Sequence, residues 1–354
     1  MTRIIIHPSN FINNPAHYNI LADKQFFKQL ENLGYKVFFS NKIIEIIGND
    51  VILFVEGKNC VSKWFMFRNS STWIKLKIMV KVFINWKSIR QDDFLQRIDN
   101  LKNKKILVVL EGKLHAPENH NINLLAYCDY ILTWNDDLAS NNNFIKINLP
   151  QEKDFTVVSN IPYSKKKLLT NISSNLYSSV IGELYSERRE TIKYAESQLG
   201  SEFDLYGFNW NKPTTILQRL IKNRTPYYKS FKGKVDNKAT VFSKYRFAII
   251  YENYKTNGYV TEKIFDCLRS NCVPVYLGAP NIGKLIPNDI YIDRRKFNNN
   301  KDLIDFLINL SELDYKNYIN RIAKFVGSEE CKMFFSTQIA ETIHKTIVIS
   351  NNLK

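Results

Sequence analysis

The sequence is poor in cysteine, glycine and proline, and it has no long apolar run. Its 354 residues include 5 Cys, 12 Gly and 10 Pro, while 44% are hydrophobic. Low glycine and proline exclude a collagen-like or linker-like chain, and the apolar content excludes a disordered one. No apolar stretch approaches the ~20 residues of a membrane-spanning helix. The three isoleucines near the amino terminus are followed at once by His7 and Pro8, which is not a signal-peptide pattern.

Several sequence signatures of cofactor and metal sites are also missing. The cysteines are scattered, without a CxxC pair or a histidine at zinc-finger spacing, so we expect reduced thiols in a cytoplasmic protein. Neither GxGxxG nor GxxxxGK[ST] occurs. No Asp-x-Asp motif occurs either, and the adjacent pairs 92–93 and 136–137 direct their carboxylates to different sides. The sequence therefore predicts no metal site.

Positive charge is the strongest compositional feature. The chain carries 50 Lys+Arg against 34 Asp+Glu, a formal net charge of +16. Such an excess favours phosphates, nucleic acid or an anionic membrane as partners. Residues 211–251 hold ten basic residues and one acid, and residues 63–90 hold seven basic residues, no acid and six aromatics. For 63–90 we leave open an ordinary amphipathic helix, a contact with the membrane or the acceptor, and, least favoured, nucleic-acid binding.

Hydrophobic periodicity predicts two α/β domains. In the first, we expect a helix at 24–33 and strands at 3–6, 36–40, 51–55, 105–110 and 130–133. The second set is expected to begin near Ser178, with helices at 186–199, 261–270 and from 302, and strands at 203–207, 246–251 and 273–277. We assign 1–160 and 161–330 to two Rossmann-like domains, with 149–167 as the linker and 331–354 as a helix packing back on the first domain. A ligand is expected in the cleft between them, at the carboxyl ends of the strands.

One segment carries most of the functional signal. Residues 245–280 read YRFAIIYENYKTNGYVTEKIFDCLRSNCVPVYLGAP. A buried strand delivers Glu252 and Asn253 to its carboxyl end, and Thr261 then caps a helix whose first turn holds Glu262 and Lys263. A helix start with a lysine offers free N–H groups and positive charge to an anion. The same pattern also fits a solvated helix start with two surface charges.

This segment closely resembles the donor-binding motif of the α1,3/4-fucosyltransferases, glycosyltransferase family 10. The family pattern is a strand ending in Phe-Glu-Asn, then Tyr-[Val/Ile]-Thr-Glu-Lys, then Val-Pro-[Val/Ile]-x-x-Gly-x-Pro. It stands here at 251–253, 259–263 and 273–280, with Tyr251 in place of the usual Phe. The resemblance implies the two-domain GT-B fold and donor-binding roles for Lys263, Glu262, Tyr259 and Asn253.

Two looser matches extend the resemblance. The family's catalytic carboxylate follows a strand of the first domain, which implies Glu111 here, with Glu118 as a competitor. The family's diphosphate-binding arginine begins the first helix of the second domain. An apolar residue three positions later favours Arg189, with Arg188 as the alternative.

The reaction that this resemblance implies is an inverting transfer of L-fucose from GDP-β-L-fucose to a GlcNAc or Glc hydroxyl, without an obligatory cofactor. The acceptor would be an oligosaccharide or lipid-linked glycan such as lipopolysaccharide, met by a cytoplasmic enzyme at the inner face of an anionic membrane. Two alternatives remain: a GT-B enzyme with another nucleotide sugar, and an inactive basic protein that binds membranes or nucleic acid.

Overall fold

A computed structural model describes residues 2–6, 24–39, 46–55, 101–112, 114, 116, 128–151, 161–213 and 228–352. The chain divides into two compact units. One comprises Met1–Lys153 together with Phe334–Lys354, and the other comprises Asp154–Met333. The basic window at 63–90 and Glu118 lie outside the described residues. Within the described parts, no helix is both long and apolar enough to cross a membrane.

The first unit is built on a parallel six-stranded sheet of order β2-β1-β3-β4-β5-β6. Its strands are β1 (Arg3–Ile6), β2 (Lys36–Phe39), β3 (Val51–Val55), β4 (Lys104–Val109), β5 (Tyr130–Thr133) and β6 (Phe144–Lys146), and helix α1 spans Lys24–Asn32. The expected α/β architecture is confirmed here, and the ends of the five expected strands are shifted by at most one residue; β6 is not among the expected strands. The continuous apolar runs of β3 and β4 are buried because a parallel sheet is covered on both faces.

The carboxyl-terminal helix of the chain belongs to this first unit. It packs against α1, where the Tyr35 hydroxyl lies 2.9 Å from His344 Nδ1 and Gln29 Nε2 donates to Glu341 at 2.5 Å. Ile339, Ile343 and Ile347 point into the core of the unit. The helix thus supplies an apolar face to a sheet whose strands lie at least 190 residues earlier in the sequence.

The second unit contains a parallel five-stranded sheet of order β11-β10-β9-β7-β8. Its strands are β7 (Lys167–Ser174), β8 (Phe203–Phe208), β9 (Tyr245–Tyr251), β10 (Val273–Leu277) and β11 (Ile292–Asp293). Its α-helices are α2 (Tyr185–Leu199), α3 (Lys238–Phe242), α4 (Glu262–Leu268), α5 (Asn300–Asn309), α6 (Glu312–Val326) and α7 (Glu329–Lys332); the helix Ser336–Asn352 of the first unit is α8.

The expected start of this second set near Ser178 was wrong. The first strand is β7, which begins at the last residue of the expected linker, and Ile181 of the expected start is 93% exposed. The sequence KLLTNISS does not have the continuous apolar pattern of a central strand, because its Thr170 and Asn171 are polar although both are buried. Their side chains donate to the carbonyls of Asp204 and Ile249 on the flanking strands, which satisfies both in the interior.

The strand order identifies where a ligand belongs in this unit. From β7 the chain runs to β8 on one side and then to β9, β10 and β11 on the other side. Adjacent strands β7 and β9 therefore form the topological switch point, and ligands of open α/β sheets bind outside the carboxyl ends there. Those ends are Ser174 and Tyr251.

Candidate functional site

The motif 251–263 lies at this switch point, where it joins β9 to α4. Thr261 has extended backbone angles and caps α4 by accepting from the Lys263 N–H at 3.4 Å. Gly258 precedes it with a φ of +81°, which a glycine adopts readily, and its N–H donates to Asn281. The turn thereby brings the first residues of α4 back over the end of the sheet.

Glu252 is the buried centre of the motif. It is 0% exposed, and its carboxylate accepts from the Thr261 N–H at 2.9 Å and from the Thr261 hydroxyl at 2.9 and 3.0 Å. Lys263 Nζ donates to the same carboxylate at 3.2 Å and to Thr261 Oγ1 at 2.9 Å. Burial lowers the pKa of Lys263, but the Glu252 and Glu262 carboxylates outweigh that effect, so its pKa is raised. The ammonium is therefore charged at neutral pH.

A second cation reaches the end of β9 from helix α2. Arg188 is 3% exposed, and its Nη2 donates to the carbonyl of Tyr251, to that of Glu252 at 3.0 Å and to Asn253 Oδ1 at 3.3 Å. Its Nε has no hydrogen-bond acceptor. Among the residues that the structure describes, no carboxylate forms an ion pair with it. Burial accordingly lowers its pKa, although an arginine stays charged.

Arg189 points elsewhere. Its Nη1 donates to the carbonyl of Leu176, and its guanidinium lies over the Tyr177 ring at 5.7 Å. It thus fastens the loop between β7 and α2 to that helix. The geometry brings Arg188, and not the favoured Arg189, together with Lys263.

The other donor-site candidates surround this pair. Glu262 begins α4 with its side chain 50% exposed, 3.7 Å from Lys263 Nζ and 4.0 Å from Lys238 Nζ. Partial burial raises its pKa, but the two ammonium groups lower it further than burial raises it. Asn253 is partly exposed and binds Arg188, whereas Tyr259 is buried and its carbonyl accepts from the Tyr276 hydroxyl at 3.4 Å. Tyr259 therefore contributes mainly through its backbone and ring packing.

The end of β10 closes the site from one side. Gly278 lies so near its neighbours that a Cβ there would come within 2.4 Å of the Tyr276 hydroxyl and 2.6 Å of Glu252 Cγ. The Glu252 N–H also donates to the carbonyl of Leu277 at 2.8 Å. The Gly-x-Pro segment after β10 is therefore a close-fitting wall behind the Glu252 side chain.

Glu111 lies in the first unit, two residues after β4. It is partly buried, and its Oε2 accepts from the N–H of Gly112 at 3.2 Å. The preceding carbonyl of Leu110 accepts from the Trp134 indole at 3.1 Å, which fixes the backbone next to it. Glu111 thus stands at the carboxyl end of a parallel strand, where functional side chains of such sheets are found.

Comparison with known proteins identifies the second unit. Residues 163–327 match the profile of the carboxyl-terminal part of glycosyltransferase family 10 (fucosyltransferase). This segment, a little under half of the chain, therefore resembles the carboxyl-terminal domain of the family 10 fucosyltransferases. An α-(1,3)-fucosyltransferase of Helicobacter pylori is 36% identical over 73 residues, 21% of this chain and 15% of that protein. The chain thus spans well under a fifth of that curated relative.

Solved structures confirm the fold of the chain. A crystal structure of an α1,3-fucosyltransferase with GDP matches 98% of this chain and 89% of its own, with a TM-score of 0.54 and 14% identity. A DNA-modifying β-glucosyltransferase matches 98% of this chain and 99% of its own, with a TM-score of 0.56 and 15% identity. At such identities the likeness shows the fold alone, which is the expected GT-B class of two Rossmann-like α/β units.

The one departure from the family 10 motif is accommodated in the structure. Tyr251 replaces the usual Phe, and its added hydroxyl lies 3.2 Å from Thr191 Oγ1, which in turn donates to Asn300. The buried hydroxyl is therefore satisfied, and the substitution leaves the end of β9 in place.

The sequence pattern does not predict two features of this site: it assigns no role to Glu252, and it favours Arg189 over Arg188. The signal for Arg188 was helical burial: Arg188, Thr191, Ile192 and Ala195 follow the i, i+3, i+4, i+7 pattern of a buried face, and all four are buried. In the described residues no group of three or more metal-ligating side chains occurs.

Proposed function

We propose that this protein transfers L-fucose from GDP-β-L-fucose to a glycan hydroxyl, with inversion at the anomeric carbon. The observation that carries this proposal is the buried guanidinium of Arg188, which has no carboxylate partner among the described residues and lies beside the charged Lys263 at the switch point of the sheet. A buried charge is costly unless it is paired. A diphosphate is an anion suited to fill that role, and the match of residues 163–327 to family 10 supports GDP-fucose as its carrier.

In the proposed mechanism, the two cations stabilise the leaving group. As the bond between the anomeric carbon and the phosphate oxygen breaks, negative charge develops on the diphosphate of GDP. Arg188, in place of Arg189, and Lys263 hold that charge with fixed donors, so the step requires no metal ion. Glu262 and Asn253 bind donor hydroxyls, and Tyr259 shapes the pocket wall.

Glu111 is proposed as the general base of the reaction. The acceptor oxygen attacks the anomeric carbon on the face opposite the phosphate, and the hydroxyl proton passes to the Glu111 carboxylate. One carbon–oxygen bond forms, one breaks, and GDP leaves. A carboxylate that follows a strand of a parallel sheet is suited to this role, because functional side chains of such sheets lie at the carboxyl ends of the strands.

The acceptor and its location are proposed from the resemblance. We propose a GlcNAc or Glc hydroxyl of an oligosaccharide or lipid-linked glycan, such as lipopolysaccharide, reached from the cytoplasmic side. The basic, aromatic window at 63–90 supports a peripheral contact with an anionic membrane. It lies outside the described residues, so its sequence composition alone supports this contact.

Nucleotide binding gives the first test. Titration calorimetry with GDP and with UDP is expected to show heat for GDP and much weaker heat for UDP. Transfer is then measured with GDP-fucose and a panel of lactosamine-type acceptors. A protein that does not bind GDP would contradict the proposed GDP-fucose donor, and tighter binding of UDP would favour a GT-B enzyme with another nucleotide sugar.

A further inference from the structure

We propose that Glu252 is a positioning residue of the donor site, which holds the Lys263 ammonium in place for the diphosphate. The inference rests on the proposed function. Glu252 itself is 0% exposed and lies behind Lys263, so it acts through that lysine and not on the substrate.

The contacts of Glu252 are dedicated to the start of α4. Its carboxylate oxygens accept from the Thr261 N–H, the Thr261 hydroxyl and Lys263 Nζ, at distances of 2.9 to 3.2 Å. The Thr261 hydroxyl also accepts from Lys263 Nζ at 2.9 Å. The Glu252 carboxylate and the Thr261 hydroxyl thus both accept from the one ammonium and fix its position. Both side chains belong to the motif 251–263.

Glu252 is also the rigid member of the two carboxylates near Lys263. The other one, Glu262, lies 3.7 Å away with its side chain half exposed, so it is free to turn toward solvent or a ligand. Glu252 is backed by Gly278, where even a methyl group would come within 2.6 Å of its Cγ. The close approach of Gly278 therefore fixes the Glu252 carboxylate, and this carboxylate in turn fixes the Lys263 ammonium.

Fixing the lysine beforehand has a direct effect on binding. A lysine side chain has several rotatable bonds and loses conformational entropy when it is immobilised. A lysine that is already ordered avoids that loss when an anion binds. Burial next to Glu252 also keeps Lys263 protonated, because the carboxylate offsets the desolvation that lowers its pKa.

The test compares Glu252→Gln with Asp204→Asn. Asp204 is a matched control, since it is also a buried carboxylate that binds a lysine, Lys167, at 2.7 Å. It lies on β8 of the same sheet, away from the motif 251–263. GDP affinity is measured by calorimetry at pH 7.5, and the pKa of Lys263 by competitive acetylation with mass spectrometry. We expect Glu252→Gln to weaken GDP binding roughly ten- to hundredfold, the range of charged hydrogen bonds, and to lower the Lys263 pKa. Asp204→Asn should change neither quantity.

GDP affinity within twofold of wild type, tighter binding, or an unchanged Lys263 pKa in Glu252→Gln would overturn the positioning role. If that variant does not fold, Thr261→Val and Thr261→Ser replace it. The serine keeps the hydroxyl and should bind GDP more tightly than the valine, and equal affinity would refute the inference. Wild-type protein that binds no GDP would instead refute the proposed function.

Discussion

Arg188 and Arg189 are neighbours in sequence, and the structure predicts opposite consequences for their loss. Replacing either by Met removes the charge and keeps most of the side-chain length. Arg188→Met should strongly weaken GDP binding, because its guanidinium lies with Lys263 at the end of β9. Arg189→Met should leave it nearly unchanged, because that guanidinium binds Leu176 in the loop before α2.

The size of the effect follows from what Arg188 offers a diphosphate. Its Nε is buried without an acceptor, and the guanidinium has no ion-pair partner in the described parts of the chain. Truncating one member of a buried, hydrogen-bonded charge pair typically costs about 2–5 kcal/mol, or roughly 30- to several-thousandfold in Kd. For Arg189 we expect a change of about threefold or less, as for a charge at the rim of a site.

Calorimetric titration with GDP on wild type and both variants gives the comparison, and the unfolding temperature of each free protein serves as the control. Arg188→Met leaves the carbonyls of Tyr251 and Glu252 without their donor but also removes an unpaired buried charge, so these effects on stability oppose each other. Loss of GDP binding in Arg189→Met, with retention in Arg188→Met, would refute the assignment of the diphosphate to Arg188.

Two further variants test the general base and the buried acid of the second sheet. Glu111→Gln is expected to retain GDP affinity but to lose fucose transfer by about 100-fold or more, whereas Asp129→Asn, a carboxylate beside the amino end of β4, should retain both. Asp204 loses some acidity through burial, but its bonds from Lys167 and Tyr245 lower its pKa overall. Asp204→Asn should therefore lower the free energy of unfolding by about 1–3 kcal/mol at pH 7. This difference should shrink once the pH falls below about 4, and it should disappear when the pH falls below the lowered pKa of the folded wild-type acid. Activity measurements check the first variant, and urea unfolding at both pH values checks the second.

The sequence was sufficient to predict most strands because the apolar runs of parallel sheets are continuous. Strands β3, β5 and β10 begin and end where the pattern indicates. Strand β7 could not be found in this way, because its buried Thr170 and Asn171 are satisfied by strands that are 34 and 78 residues away in sequence. Hydrogen bonds to distant partners leave no local signal.

The same limit applied to the candidate site. The motif 259–263 indicated an anion site, since a helix start and a lysine are local features. The roles of Arg188 and Glu252 depend on which side of α2 faces β9 and on how closely Gly278 approaches β9. Both depend on tertiary structure, although the helical spacing of the buried residues in α2 indicates that Arg188 faces the core.

Net charge alone does not explain how this site would select an anion. Three cations lie near the start of α4, and two of them are matched: Lys263 by Glu252, and Lys238 by Asp266 at 2.9 Å. The positive excess of the chain therefore contributes little at this point. The site is distinguished by Arg188, which is buried and forms no ion pair with a carboxylate of the described residues. Carbonyl dipoles compensate its charge only partly. A diphosphate that reaches it would supply the missing counter-charge, and in a buried site this is worth more than the same contact at the surface.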